Sequence, residues 1–264
     1  MDFVLKEKYD MEDLLEIMTI LRSPGGCPWD REQTHQSIRN CFIEETYEAI
    51  EAIDTEDTDL LKEELGDVLL QVLFHAQIEK EAGRFDFSDV VNGIAQKMVE
   101  RHPHVFGTGS VQDSEEVLVN WDAIKKRTKS QKTQTEVLRS VSKALPSLMR
   151  SQKVQQKAAK VGFDWPDITG ALQKVEEETS ELKEAVASGN PDACKEELGD
   201  LLFSAVNVAR FLKTDSEEAL SISCDKFIER FGKMERLAEQ KGLAFADLDL
   251  KGLDVLWDEA KQSD

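Results

Sequence analysis

The sequence predicts an all-α protein built as a tandem repeat of two helical domains, and three observations carry that expectation. The sextet KEELGD occurs twice, at 62–67 and 195–200, and aligning the two copies aligns much more of the chain. Charged residues make up 33% and aromatics 7%, with 14 Gly and 6 Pro in 264 residues, a balance that favours helices over sheets. No stretch sustains the period-two alternation of a half-buried strand.

The repeat is ordered. EETYE at 44–48 lies over EETSE at 177–181 at the same offset of 133, with no gap before KEELGD. KMVER at 97–101 matches KFIER at 226–230 once a difference of four residues is allowed, and Trp121-Asp122 matches Trp257-Asp258. An ExxD motif alone means little in so acidic a chain; four matches in order indicate duplication. The expected domains are 1–130 and 146–264, joined by a polar, basic connector at 131–145.

Along each half the elements follow from local chemistry. The loops GGCPWD at 25–30 and GFDWP at 162–166 carry the glycines and prolines of turns, and Leu148, Met149 and Val154 open a helical pattern after Pro146. Lys174, Glu178 and Glu181 fall at i, i+4 and i+7 and share one helix face. Ser188-Gly189-Asn190-Pro191 ends that helix and starts the next, where Glu197 and Asp200 again share a face. Glu181 and Glu197 each sit about 10 Å from the turn at ~1.5 Å per residue, so the four carboxylates meet at one level. The first half repeats this with Glu45, Glu48, Glu64 and Asp67 around a turn at 54–59.

Beyond Asp200 the helix is apolar except for a stripe of Glu197, Asp200, Ser204 and Asn207. That pattern predicts a helix buried nearly all round, with the stripe facing protein. Clustered carboxylates in such a place repel unless a cation sits between them, and an all-oxygen set suits Mg²⁺, with Mn²⁺ as the alternative. Gly199, inside the helix at a cost of about 1 kcal/mol relative to Ala, is expected to let a partner helix approach closely. Lys226 and Arg230, at i and i+4, read either as cations for a phosphate chain or as an exposed basic pair. Trp257 reads either as a base-stacking ring or as core.

Other chemistries are excluded. A net charge of −20 argues against nucleic-acid or membrane partners. The N-terminus lacks a signal-peptide pattern, and no apolar run spans a bilayer, so a cytoplasmic protein is expected. The 4 cysteines show no metal or CxxC spacing and read as reduced thiols. A di-iron bundle needs Glu-x-x-His twice, and only Glu32–His35 fits. His102 and His104 read as loop or packing residues. There is no GxxxxGK[ST] phosphate loop.

EETYE and EETSE, each followed by ExxD within EELGD, together with the GCPWD loop, RHPHVF at 101–106 and the VGFDW loop, resemble the MazG nucleoside triphosphate pyrophosphohydrolases of the two-domain bacterial type. The resemblance covers essentially the whole chain. It implies four-helix bundles completed by homodimerisation and Mg²⁺-dependent hydrolysis of a nucleoside triphosphate to the monophosphate and diphosphate. It implies metal ligands at Glu178, Glu181, Glu197 and Asp200, and more weakly at Glu45, Glu48, Glu64 and Asp67. Glu178 or Glu181 would take the proton of the attacking water. Lys174, Glu177, Glu196, Asp200, Lys226, Arg230 and Trp257 would surround the nucleotide. Two rival readings are a narrower all-α pyrophosphohydrolase (dUTP, dCTP or phosphoribosyl-ATP) and a non-catalytic helical scaffold. The second half is expected to carry most of the activity, because Lys174, Ser204 and Asn207 become Cys41, Gln71 and Phe74 in the first.

Overall fold

The computed structural model describes residues 3–108, 113, 116, 117, 121 and 133–262, and all regular structure among them is helical. The chain divides into two compact units, Met1–Lys125 and Lys126–Asp264. No helix of the described residues is long and apolar enough to cross a membrane.

The first unit comprises α1 (Met11–Arg22), α2 (Pro28–Glu32), α3 (Arg39–Asp54), α4 (Thr58–Glu81), α5 (Phe87–Arg101) and α6 (Pro103–Phe106). Asp10 and Asp86 start α1 and α5 with reciprocal capping boxes to Asp13 and Asp89, and Asp57 caps α4. α3 and α4 form the acidic hairpin, and α1 and α5 pack against α4. The core lies at the far end of that hairpin, where Met18, Ile38 and Phe74 are buried against Leu70 and Ile78.

The second unit comprises α7 (Gln134–Arg139), α8 (Ser147–Ala159), α9 (Ile168–Ser188), α10 (Pro191–Phe211), α11 (Ser216–Gln240) and α12 (Leu250–Lys261). α9 and α10 form the second acidic hairpin, and α8 packs along α10. Gly189, at φ 67°, ends α9 in the left-handed region that glycine enters without strain, and Asn190 then caps α10 ahead of Pro191. Met234, Ala238, Leu256 and Ala260 form a core between α11 and α12.

Of the expected connector, 131 and 132 lie outside the described residues, and the rest adds structure to the second unit. Thr133 caps α7 in a capping box with Glu136, Val137 is buried, and the Gln134 amide donates to the Lys157 carbonyl in α8 at 2.7 Å.

Two expectations are corrected. α10 is not buried all round: Ser204, Val206 and Asn207 are buried, whereas Leu198, Leu202 and Phe203 are 48%, 50% and 42% exposed. Among the described residues, α9, α8 and a light contact from α11 cover one face of α10, and of the polar stripe that face buries Ser204 and Asn207 while Asp200 stays exposed. Nor does any helix among the described residues approach Gly199 or Gly66, since none of their atoms lies within 4 Å of where a β-carbon would stand at either.

Candidate active site

The α9–α10 hairpin brings the predicted carboxylates together. Glu178, Glu197 and Asp200 offer oxygens within 4.8 Å of one another, and Glu177, Glu178 and Glu181 form a second such set. Glu178 belongs to both and is 3% exposed, while Glu181 and Asp200 lie at the surface. The cluster is therefore a groove with one buried member. Lys174, one turn earlier on α9, donates to Glu177 at 2.7 Å and approaches Glu178 at 2.6 Å. Those two contacts raise its proton affinity, so it stays an ammonium. Glu196 is exposed on α10 beside Glu197.

Electrostatics of the groove favours a cation. Burial first, then the charges of Glu178 and Glu197, lifts the Glu181 carboxyl above the ordinary range. Glu197 is lifted by burial and by Glu178 and Asp200. Lys174 opposes both shifts without cancelling them. One oxygen of Glu178, Oε2, is buried with no hydrogen-bond partner. A buried carboxylate oxygen is costly when unmatched, and this one sits where two oxygen-only sets meet. Hard oxygen donors in this number fit Mg²⁺.

The first unit repeats the arrangement without the lysine. Glu45, Glu48 and Glu64 lie within 4.8 Å of one another, with Glu64 as the buried member at 8% exposure. Glu45 and Glu64 are both lifted, chiefly by burial, and Asp67 and Glu48 add to both shifts. Cys41 stands where Lys174 stands in the second unit.

Lys226, Arg230 and Trp257 form a separate group. α11 packs chiefly on α12, with lighter contact to α8 and α10, rather than on α9. The Arg230 guanidinium lies 6.0 Å from the Trp257 ring, and Phe227 packs on that ring at 5.1 Å. Trp257 also packs against the Met234–Leu256 core, so its ring is partly a core ring. Arg101 and Trp121 repeat this pair at 5.5 Å in the first unit; Asp122 lies outside the described residues.

Several polar groups escaped the sequence reading. His35 Nδ1 faces His75 Nδ1 at 2.7 Å, and its Nε2 meets the Glu79 carboxylate at 2.6 Å. Arg84 also pairs with Glu79, and these partners hold that carboxyl down at about 2. His35 and His75 are 40 residues apart, beyond any local pattern. His102 Nδ1 donates to the Met98 carbonyl, 2.6 Å away, and the ring packs against His104 and Trp121, a packing role. Gln155 is buried on α8, and a signal for it existed: with Leu148, Gln152 and Ala159 it falls on one i, i+4, i+7, i+11 face.

The family model for the MazG nucleotide pyrophosphohydrolase domain matches twice, at residues 33–106 and 168–234, each time spanning an acidic hairpin. The nucleoside triphosphate pyrophosphohydrolase/pyrophosphatase MazG of Thermotoga maritima is 47% identical, over 96% of both chains. The nucleoside triphosphate pyrophosphohydrolase of Escherichia coli K12 is 44% identical over 96% of this chain and 98% of its own. A protein of Bacillus subtilis described as uncharacterized protein YabN is 49% identical over 97% of this chain and 52% of its own length. With both acidic hairpins matched and relatives similar from end to end, the chain belongs to the MazG nucleotide pyrophosphohydrolase family.

Proposed function

We propose that this protein is a nucleoside triphosphate pyrophosphohydrolase that takes Mg²⁺ and converts (d)NTPs of several bases to the monophosphate and diphosphate, chiefly in its second unit. The observation that carries the reading is Glu178: a buried carboxylate with an unmatched oxygen, shared by two carboxylate sets and held by Lys174. The relatives' names supply the substrate class.

Glu178, Glu181, Glu197 and Asp200 would hold the cation. When bound, Mg²⁺ supplies charge neutralisation and Lewis-acid polarisation at the phosphate chain. The chain's own residues do the rest. Lys174 draws the triphosphate toward the groove against the repulsion of the carboxylates. Glu178 or Glu181 accepts a proton from the water that attacks the α-phosphorus. Diphosphate leaves as the α–β bond breaks, and Lys226 and Arg230 are cations suited to its charge. Two features favour a homodimer that pairs like halves: the exposed Leu198, Leu202 and Phe203 on α10, and the exposed Leu220, Ile222, Phe227 and Ile228 on α11.

Incubation with Mg²⁺ and each NTP and dNTP, followed by product identification, tests the reading. AMP and diphosphate from ATP are expected, with EDTA abolishing turnover. Orthophosphate and ADP, or full activity in EDTA, would refute it, and no turnover with any nucleotide would favour a non-catalytic scaffold. Sedimentation as a stable monomer at micromolar concentration would refute the dimer.

A further inference from the structure

Beyond the acids of the first hairpin, three side chains pass hydrogen bonds in a row. The Glu79 carboxylate, kept ionised chiefly by Arg84, can only accept, so His35 Nε2 donates to it at 2.6 Å. At the other side of the same ring, His35 Nδ1 faces His75 Nδ1 at 2.7 Å, and the two rings stack with centroids 5.0 Å apart. His35 comes from the loop between α2 and α3, His75 from α4, and both are half-buried.

Proton counting limits what this contact tolerates. In the neutral pair His35 carries its proton on Nε2, and His75 Nδ1–H donates to the bare Nδ1 of His35. With one added proton His35 is an imidazolium that donates at both ends, to His75 and to Glu79. A second added proton puts an N–H on each of the facing nitrogens, with no acceptor between them and two like charges in contact. That state cannot keep the rings where they are.

The loop that carries His35 also seats the start of α3. Ile38 is 2% exposed in the core with Met18 and Phe74, and its N–H donates to the Thr34 carbonyl at 3.3 Å. The Phe42 N–H donates to the Ile38 carbonyl, and the Phe42 ring packs on His75 at 5.7 Å. Glu45 follows one turn later.

We propose that His35 and His75 form an acid-sensitive clasp between this loop and α4, closed while the pair holds at most one extra proton and released when both imidazoles are charged. The surroundings do not offset the second charge. Glu79 on α4 already pairs with His35 and with Arg84 from the turn after that helix, and α3 offers the uncharged Phe42 ring. On α1, Arg22 is engaged by Glu81 and by the Asp30 and Gln33 carbonyls. Among the described residues α2 and α5 bring no ion pair to either imidazole.

Burial first, then the charge of His35, holds the His75 imidazole below its ordinary value of 6.5. A folded value below the unfolded one gives stability that is present above about pH 6.5 and lost as the pH falls through the folded value. Glu79, held at about 2, keeps its charge throughout that window. The second unit has no counterpart: at the offset of 133 the three positions are Ile168, Val208 and Leu212.

The test is amide hydrogen exchange on the full chain in EDTA at about pH 7.5 and about pH 5.5, corrected for intrinsic rates. Exchange at Ile38 and Phe42 is expected to be about tenfold faster at the lower pH in wild type, while Leu212 stays within about twofold. In His75→Gln, and separately in His35→Gln, the ratio at Ile38 and Phe42 is expected to fall within about twofold. A wild-type ratio that small, or a large ratio that persists in either variant, would overturn the proposal. Imidazole NMR of wild type supplies a readout that needs no variant. The His35 and His75 signals are expected to titrate together in two separated steps, as a coupled pair does. Two independent single-step titrations would equally sink the clasp.

Discussion

In the second unit Lys174 holds Glu177 and Glu178, Asn207 faces a pocket, and Gln155 waits beside it with an unpaired oxygen. In the first, Cys41 replaces the lysine, the Asn207 position is a core phenylalanine, and α4 continues into His75 and Glu79. Both hairpins nevertheless present three carboxylates within 4.8 Å, and in both two carboxyls of the cluster are held above the ordinary carboxylate range, chiefly by burial. Duplication thus kept the carboxylate frame in each half and let its surroundings diverge. The halves differ in what surrounds the carboxylates, not in the carboxylates themselves.

The largest expected effect breaks that comparison if it fails. Glu197→Gln with Asp200→Asn should lower ATP turnover by on the order of 10²-fold, since it removes two carboxylates proposed to hold the cation. Glu64→Gln with Asp67→Asn should leave most of the turnover, both variants staying helical by circular dichroism. The reverse result would assign the main activity to the first unit, and equal losses would mean joint action.

Lysine 174 sharpens it. Lys174→Met should raise KM for ATP about tenfold by removing a charge-assisted contact. In the Glu197→Gln/Asp200→Asn background, Cys41→Lys should raise the residual turnover severalfold. No gain there would show that Phe74, rather than the missing cation, limits the first unit.

Metal binding should show in stability. Mg²⁺ is expected to raise the melting temperature by several degrees, because a ligand that binds only the folded state stabilises it. The shift should shrink with either double variant and vanish with both; persistence in the quadruple variant would place the cation elsewhere.

The smallest effect concerns the first unit alone. Glu79, held at about 2 by Arg84 and His35, is depressed below its unfolded value near 4.5. Its stabilisation is therefore complete above about pH 4.5 and lost as pH falls toward 2. Glu79→Gln should lower the melting temperature at neutral pH, with the gap to wild type closing in acid. The corresponding Leu212→Ala in the second unit, 61% exposed, should show no such pH dependence.

How much of this was readable in advance differs by residue. The hairpin carboxylates were legible because helix periodicity and a short turn fix their faces and levels, and the carboxylates indeed converge. The cap residues Asp57, Asp167 and Asn190 act over two or three positions, so local chemistry reveals them. Burial was misjudged on α10, since a sequence states that Leu198, Leu202 and Phe203 are apolar but not whether this chain supplies their cover. Gln155 was partly legible, from sharing a helix face with Leu148 and Ala159, though its unpaired oxygen was not.

The sequence by itself determined the duplication, the all-helical character and the faces on which the acids lie. Each of these depends on 3.6-residue periodicity or on composition, quantities carried by neighbouring residues. Only the tertiary structure decided that Glu178 rather than Glu181 is the buried carboxylate, that Gly170 makes room for Trp165, and that His35 meets His75 and Glu79. Those facts depend on packing between segments far apart in the chain, where a side chain's neighbours are set by how whole helices cross and not by its own sequence context.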